Sequence, residues 1–135
     1  MKQTIDEESL KALVNYRLNR AKETLIEVQV IVESGYYTTA VNRLYYACYY
    51  AVLALLIKNN INAQTHSGAR QMLGLHFVSN NKLSKEHARF YAQIFNERIS
   101  GDYDDFVFFD KPTLDDLIPK AKDFIDAIED LIKEN

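Results

Sequence analysis

Residues 44–57, LYYACYYAVLALLI, decide the fold. They form the longest uncharged stretch of the 135-residue chain, at 14 residues, and they carry four tyrosine hydroxyls. A helix that crosses a membrane needs about 20 apolar residues, so this stretch is short for that purpose. Because a helix drawn through it is apolar on nearly every face, it must be covered on all sides. We therefore predict a helix over about residues 38–58 that is buried in the core.

Two stripes of side chains run along this predicted helix. The small stripe consists of Ala40, Leu44, Ala47, Ala51 and Ala54. The bulky stripe consists of Tyr45, Tyr49, Val52 and Leu56. A single chain of this length has few elements with which to cover both stripes. The pattern is therefore compatible with a homodimer formed through one stripe, and equally with the central helix of a monomeric bundle.

Four further segments show the three- and four-residue spacing of amphipathic helices. They run from a capping box at Thr4–Glu7 to Ser34–Gly35, from about Ser67 to Val78, from about Ser84 to Ile99, and from about Thr113 towards the C-terminus. Ser67 is the expected N-cap of the third helix, and Pro119 should kink the last helix or delay its start. With short connections, the sequence predicts an all-α, up-and-down bundle of about five helices.

Composition indicates one globular domain over residues 1–135, since 47% of the residues are hydrophobic and 26% are charged. Four glycines and two prolines are too few for the many turns of a β-protein. Cys48 has no second cysteine for an internal disulfide, which indicates a reducing compartment. The polar, acidic start of the chain does not resemble a signal peptide. We therefore expect a cytoplasmic protein without a membrane contact.

The net charge of −3 hides a basic middle segment. Residues 59–99 carry five basic and two acidic side chains, whereas residues 100–135 carry four and eleven. An RNA contact would more naturally use the middle segment, because nucleic-acid phosphates attract cations. The excess is small, however, and an ordinary solvated surface is the simpler explanation.

No cofactor or metal motif occurs in the sequence. The three histidines, His66, His76 and His87, are scattered and have no partner at helical spacing, and the chain has one cysteine. They do not form a metal-ligand pattern. Glycine-rich phosphate loops and nucleophile elbows are also missing. We therefore predict neither a metal site nor a cofactor.

Two arginines are candidates for ligand binding. Arg43 interrupts the apolar helix; it either binds an anion in a cleft or, as we favour, is a buried residue paired with a carboxylate. Arg98 ends the fourth predicted helix, and Gly101 after it allows a sharp turn. Asp102 and Tyr103 then gather a carboxylate and a phenol near the guanidinium. This bend binds phosphate, or Arg98 simply caps the helix and pairs with an aspartate, which composition alone favours.

Three stretches together resemble the HEPN superfamily, in its branch of small stand-alone bacterial and archaeal proteins. They are residues 40–51 (AVNRLYYACYYA), 65–68 (THSG) and 98–106 (RISGDYDDF), and the resemblance spans roughly residues 10–132. It implies a helical bundle that is commonly dimeric. Many members are ribonucleases that cleave RNA without a metal at the dimer cleft, using an arginine and a histidine four to six residues later. Many are encoded beside a small nucleotidyltransferase as toxin and antitoxin.

The family arginine corresponds to Arg98, but the family histidine has no counterpart. The chain has no histidine from Ile99 onward, and Tyr103 follows Arg98 after four intervening residues. A phenol with a pKa near 10 is a poor general base at neutral pH, whereas an imidazole near 6.5 is well matched. His87 lies 11 residues before Arg98, about 16 Å along a helix. That distance is too long for a shared proton transfer within one chain.

We therefore expect a non-catalytic or weakly catalytic HEPN-like protein, a homodimer, that binds RNA or a nucleotide. The expected ligand-binding residues are Arg98, Asp102, Tyr103 and Arg43. The expected partner is a nucleotidyltransferase, in a toxin–antitoxin-like pair. The alternatives are a metal-independent endoribonuclease that uses Tyr103 or a histidine of the opposite protomer, and a non-catalytic protein-interaction module.

Overall fold

The computed structural model describes residues 6–105 and 107–134. Within these ranges every regular element is helical, and the third helix continues into a π-helical segment at Gly74–Val78. The α-helices are α1 (Glu7–Glu33), α2 (Tyr37–Lys58), α3 (His66–Leu73), α4 (Lys85–Tyr103) and α5 (Lys111–Lys133). The predicted all-α bundle of five helices is thereby confirmed.

Helix α2 is the centre of the bundle, because α1, α3, α4 and α5 all pack against it. Every residue of the small stripe is fully buried. In the bulky stripe Tyr45, Val52 and Leu56 are buried and Tyr49 is partly buried. The chain therefore covers nearly all of both stripes by itself. The expected homodimer stays a prediction, and it would need a surface other than these stripes.

Among the described helices, α2 alone is long and apolar enough to cross a membrane. However, 61% of its most apolar 18-residue stretch is buried inside the bundle. Length and composition alone do not separate a membrane span from the core helix of a soluble protein. The burial of α2 is what a core helix shows.

The ends of α1 follow ordinary capping chemistry. The Asp6 carboxylate accepts a hydrogen bond from the backbone N–H of Ser9 at 2.7 Å, so Asp6 is the N-cap. The capping box predicted at Thr4–Glu7 depends on Thr4, which lies outside the described residues. At the other end Gly35 has a φ of 84°, the left-handed conformation that favours glycine. The predicted stop at Ser34–Gly35 is confirmed.

Helix α3 begins one residue after Thr65, and the prediction of Ser67 as its N-cap is wrong. The Thr65 hydroxyl accepts a hydrogen bond from the backbone N–H of Gly68 at 2.8 Å. Both threonine and serine can cap a helix. The N-cap is the residue with extended backbone just before the first helical residue, and here that residue is Thr65. The earlier start places His66 in the first turn of α3, which faces α2.

The predicted turn at Gly101 is also wrong, because α4 continues through Gly101 to Tyr103. The backbone N–H of Asp104 still donates to the carbonyl of Ser100 at 2.9 Å, as in a continuing helix. A Cβ on residue 101 would lie 2.8 Å from Cε2 of Phe109. Glycine therefore serves close packing against the connection to α5 rather than a bend.

Helix α5 begins earlier than predicted. The Asp110 carboxylate accepts hydrogen bonds from the backbone N–H of Thr113 at 3.0 Å and from its hydroxyl at 2.6 Å, so α5 starts at Lys111. Pro119 lies inside the helix and does not delay its start.

Candidate functional site

Arg98 lies against the buried Tyr45 and the partly buried Tyr46, where α4 packs on α2. Its Cζ is 4.8 Å from the ring centroid of Tyr45 and 5.9 Å from that of Tyr46. A guanidinium over an aromatic face is attracted by the negative face of the ring. The Arg98 side chain is only 12% exposed, and its Nε is buried with no hydrogen-bond partner in the described part of the chain. Arg98 is thus a partly desolvated cation with an unused donor.

His66, from the first turn of α3, completes this cluster. Its Nδ1 is 2.8 Å from the hydroxyl oxygen of Tyr45, which is a hydrogen bond whose donor depends on the imidazole tautomer. Its ring also stacks on Tyr49, with centroids 4.2 Å apart. The Thr65 cap fixes the start of α3 and so sets the position of His66. The ring is therefore held from two sides, by a hydrogen bond and by a stack.

Burial and the Arg98 charge shift the titration of these groups. Burial raises the pKa of Tyr45 to about 12, although the nearby Arg98 charge acts in the opposite direction. The pKa of His66 is lowered, first by partial burial and then by the positive charge of Arg98. At neutral pH the imidazole of His66 is therefore neutral and the phenol of Tyr45 is protonated. The only full positive charge of this group is the guanidinium.

Asp102 follows Arg98 by one helical turn and shares its surface. Its Oδ2 lies 3.7 Å from Nη1 of Arg98, an ion pair too long for a hydrogen bond. The side-chain amide of Asn42, on α2, donates to both oxygens of Asp102 at 3.0 and 3.3 Å. Asn42 therefore holds the carboxylate. We call Arg98, Tyr45, His66 and Asp102 the Arg98 site.

The other two predicted ligand residues lie outside this group. Arg43 sits over the Tyr46 ring at 5.5 Å, and its Nη2 is 3.9 Å from a carboxylate oxygen of Glu27. This is the carboxylate pairing favoured from the sequence, although the side chain is 27% exposed rather than buried. Tyr103 is 79% exposed and takes no part in the described contacts of the Arg98 site. Phe106, at the end of the predicted bend, lies outside the described residues.

His66 and Asn42 are the residues that sequence reasoning missed. Both lie in stretches that carry the family resemblance, residues 65–68 and 40–51, but neither was assigned a role there. His66 is 32 residues from Arg98, and Asn42 is 60 from Asp102. The sequence did offer one signal for His66. It directly follows Thr65, and a residue next to an N-cap is held in place by the start of the helix. His87, by contrast, lies at the start of α4, where its ring contacts the hydroxyl of Ser84 at 3.0 Å.

An open cleft of about 360 Å³ lies elsewhere on the surface, between α4 and α5. Its lining includes His87, Arg89, Lys120 and Asp123. These charges are mixed and solvated, and no described group of three or more histidine, cysteine or carboxylate side chains is placed to hold a metal ion. The cleft therefore has room for a ligand but no ordered cluster of polar side chains. In the Arg98 site, by contrast, the polar side chains hold one another in place.

Comparison with known proteins agrees with the all-helical fold. The family model described as HEPN domain matches residues 14–131. A UPF0332 protein of Thermotoga maritima is 37% identical over 90% of this chain and 92% of its own length. Two proteins of Methanocaldococcus jannaschii, each named "putative toxin", are 32% and 30% identical, over 93% and 87% of this chain and 98% and 81% of their own lengths. The chain belongs to the HEPN domain family.

Proposed function

We propose that this protein is a toxin-like HEPN protein that binds the phosphate group of RNA or of a nucleotide at the Arg98 site. The observation that carries the proposal is the setting of Arg98, a guanidinium that is 12% exposed and lies over the ring of Tyr45, whose hydroxyl is hydrogen-bonded to His66. The two relatives named "putative toxin" support the toxin-like role.

A phosphate suits this guanidinium, because the described residues leave its charge and its N–H groups only partly paired. Its carboxylate neighbour, Asp102, is 3.7 Å away, and its Nε has no described partner. Charge-assisted hydrogen bonds to a phosphate oxygen are about twice as strong as neutral ones, and a planar guanidinium forms them in pairs. Partial burial strengthens such contacts, since the local dielectric is lower than that of water. The guanidinium is therefore only loosely paired, and this favours an anionic ligand.

Asp102 and Asn42 give the Arg98 site a preference beyond charge. The carboxylate is fixed by two hydrogen bonds from Asn42, so it is oriented before any ligand arrives. A carboxylate beside a phosphate-binding arginine accepts hydrogen bonds from sugar hydroxyls, which a free phosphate lacks. We therefore expect ribonucleotides and RNA to bind more tightly than inorganic phosphate. In this proposal Arg43 and Tyr103 contact the part of the ligand beyond the phosphate.

A nucleotidyltransferase partner is part of the proposal. It is supported by the family membership and by the toxin names of two relatives, which fit a toxin–antitoxin-like pair. Co-expression of this chain with the product of the adjacent gene, followed by purification through a tag on one of them, tests it. A stable complex with a nucleotidyltransferase supports the pair, and separate elution of the two proteins counts against it.

RNA cleavage is the second candidate function, and His66 is the observation that favours it. In one tautomer Nδ1 donates to Tyr45 and Nε2 has a lone pair, which suits a general base. His66 would then take the proton of the ribose 2′-hydroxyl. The 2′-oxygen bonds to phosphorus, the bond to the 5′-oxygen breaks, and that oxygen takes a proton from water. In the other tautomer Nδ1 accepts from Tyr45 and Nε2–H donates to a phosphate oxygen, which suits binding.

Fluorescence anisotropy with a labelled oligoribonucleotide tests the lead proposal. Arg98→Ala removes charge-assisted hydrogen bonds and should weaken binding by about 10- to 150-fold. Arg89→Ala is the matched control, because it removes the same charge from the same helix but lies in the cleft between α4 and α5. It should change affinity by less than about 3-fold. Loss of binding in Arg89→Ala with retention in Arg98→Ala would move the ligand to the cleft and refute the proposal.

Analysis of the RNA ends in the same samples separates binding from cleavage. Fragments ending in 2′,3′-cyclic phosphate that disappear in both Arg98→Ala and His66→Ala establish the ribonuclease. If the RNA stays intact and still binds the wild type, the protein binds RNA without cleaving it.

A further inference from the structure

A hollow lined by four aromatic residues lies at one end of the bundle. It forms where the turn between α1 and α2 meets the connection between α4 and α5, and its volume is about 260 Å³. The aromatic residues are Tyr36, Tyr37, Phe108 and Phe109, and Thr38 and Thr39 complete the lining. We call it the Phe108 hollow. It is separate from the Arg98 site and from the cleft between α4 and α5, with which it shares no lining residue.

Two of these aromatic residues are turned towards solvent, although the surface around them is held in place. Phe108 is 84% exposed, more than any other large hydrophobic residue in the described ranges, and Tyr36 is 66% exposed. Their neighbours Phe109 and Tyr37 pack against the core of the bundle. Exposed apolar groups that lie together on a rigid surface are typical of protein–protein contact sites, and aromatic residues are enriched there.

The segments that form the hollow carry acidic side chains and no basic ones. Residues 33–42 and 99–110 contain five carboxylates and no lysine, arginine or histidine. Three of the carboxylates lie within three residues of a lining residue, at most about 11 Å along the chain: Glu33, Asp105 and Asp110. The C-terminal end of α1 and the N-terminal end of α2 meet at this turn, and their opposite partial charges largely cancel. The carboxylates therefore make the potential around the hollow negative.

We propose that the Phe108 hollow binds a basic polypeptide segment of another protein. An apolar side chain of that segment enters the hollow, and its lysine or arginine side chains lie over the carboxylates. A second copy of this chain fits less well, because a symmetric contact would set the acidic surface against itself. The same charge repels nucleic acids and anionic membranes. This inference goes beyond the proposed function, since it needs no ligand at the Arg98 site.

Selection from random 12-residue peptides displayed on phage tests the chemistry of the partner. The immobilised wild-type protein is the target, and the enriched peptides are synthesised with a fluorophore for anisotropy. We expect them to carry net positive charge and at least one large apolar residue. Their affinity should fall as the salt concentration rises, because salt screens the contacts with the carboxylates. Enriched peptides that are neutral or acidic, or no enrichment at all, would overturn the proposal.

Variants of the exposed rings locate the binding surface. Phe108→Ser and Tyr36→Ser should each weaken peptide binding by at least about 5-fold, as expected for aromatic anchors of an interface. Both side chains are largely in solvent, so the two variants should melt like the wild type. Tyr16→Ser is the matched control, because Tyr16 is 63% exposed on α1 but is not part of the hollow. A peptide that binds Phe108→Ser as tightly as the wild type does not use the hollow, which refutes the proposal.

Charge reversal tests the acidic surroundings. Glu33→Lys should weaken binding of the basic peptide by about 3-fold or more. Glu8→Lys is its control, since Glu8 lies 25 residues earlier on the same helix, about 37 Å away, and should leave the affinity unchanged. If both reversals act alike, only the net charge of the protein matters and the proposal fails. If an oligoribonucleotide loses affinity in Phe108→Ser, the hollow contacts nucleic acid and the polypeptide partner is ruled out.

Discussion

Tyr45→Phe removes one hydroxyl from the Arg98 site and leaves the packing in place. The phenylalanine ring keeps the contacts of Tyr45 with Tyr49 and Tyr91, whose centroids are 5.8 and 6.0 Å away. What disappears is the 2.8 Å hydrogen bond to His66. A hydrogen bond contributes about 1 kcal/mol net to stability. The half-buried His66 Nδ1 can take a water molecule instead, so no large additional penalty is expected.

This free energy converts into a small, measurable change in melting temperature. Unfolding entropy is about 2.1 cal/mol/K per residue, or roughly 0.28 kcal/mol/K for a chain of this length. A loss of about 1 kcal/mol therefore lowers Tm by about 3–4 °C. Differential scanning calorimetry measures this shift, and ¹⁵N NMR of the imidazole should show a changed tautomer balance at His66.

Tyr49→Phe is the matched control for Tyr45→Phe. Its ring also contacts His66, but its hydroxyl makes no hydrogen bond to the described residues. We expect its Tm to stay within about 1 °C of the wild type and the His66 nitrogens to keep their shifts. If Tyr45→Phe behaves like this control in both measurements, the hydrogen bond does not hold His66 and the described geometry of the site is refuted.

Three other variants give clear outcomes in urea unfolding. Because the folded pKa of His66 is below its ordinary 6.5, the unfolded chain binds the proton first, so the wild type loses stability as the pH falls below about 6.5. His66→Gln should lose less stability between pH 7 and pH 5, and equal losses would count against this pKa. Gly35→Ala places a side chain at a φ of 84° and should cost about 1 kcal/mol, whereas a stabilised variant would contradict the left-handed cap. Leu44→Ala, at a fully buried position, should cost about 2–5 kcal/mol, and a cost below about 1 kcal/mol would mean that α2 is not the core.

The central position of α2 was predictable, because a helix that is apolar on nearly every face must be covered on all sides. Residues 44–57 offer no polar face to water, and the positions of the small stripe are in fact fully buried. Helix starts were less predictable, since more than one residue near each start can cap it. Thr65 rather than Ser67 caps α3, and only the position of the extended residue before the helix decides between them.

The predicted end of α4 was wrong, and the physical reason cannot be read from the residues around it. Gly101 permits both a turn and a tightly packed helical position. The contact that decides is the approach of Phe109, which would lie 2.8 Å from a Cβ at residue 101. Phe109 is brought there by the connection to α5. A packing contact with a residue beyond the helix overrides the local preference of glycine.

The candidate site divides in the same way. The sequence favoured a pairing of Arg98 with an aspartate but placed the aspartates in a turn. In the structure the partner is Asp102, one turn further along the same helix. His66 and Asn42 come from other helices, and their approach to this pair depends on how α3 and α4 pack on α2. No histidine follows Arg98 in the sequence, but His66 of α3 lies close enough for its pKa to be lowered by the Arg98 charge.

The side-chain Nε–H resonance of Arg98 tests the central claim most directly. The Nε–H of Arg98 is buried and has no hydrogen-bond partner in residues 6–105 and 107–134. In an arginine-selective ¹⁵N–¹H spectrum, its resonance is assigned by its loss in Arg98→Lys. Addition of a single-stranded oligoribonucleotide should shift this resonance and slow its exchange with water, while the Nε–H of Arg89 stays unchanged. An Arg98 resonance that does not move when the RNA is fully bound would contradict the assignment of this site.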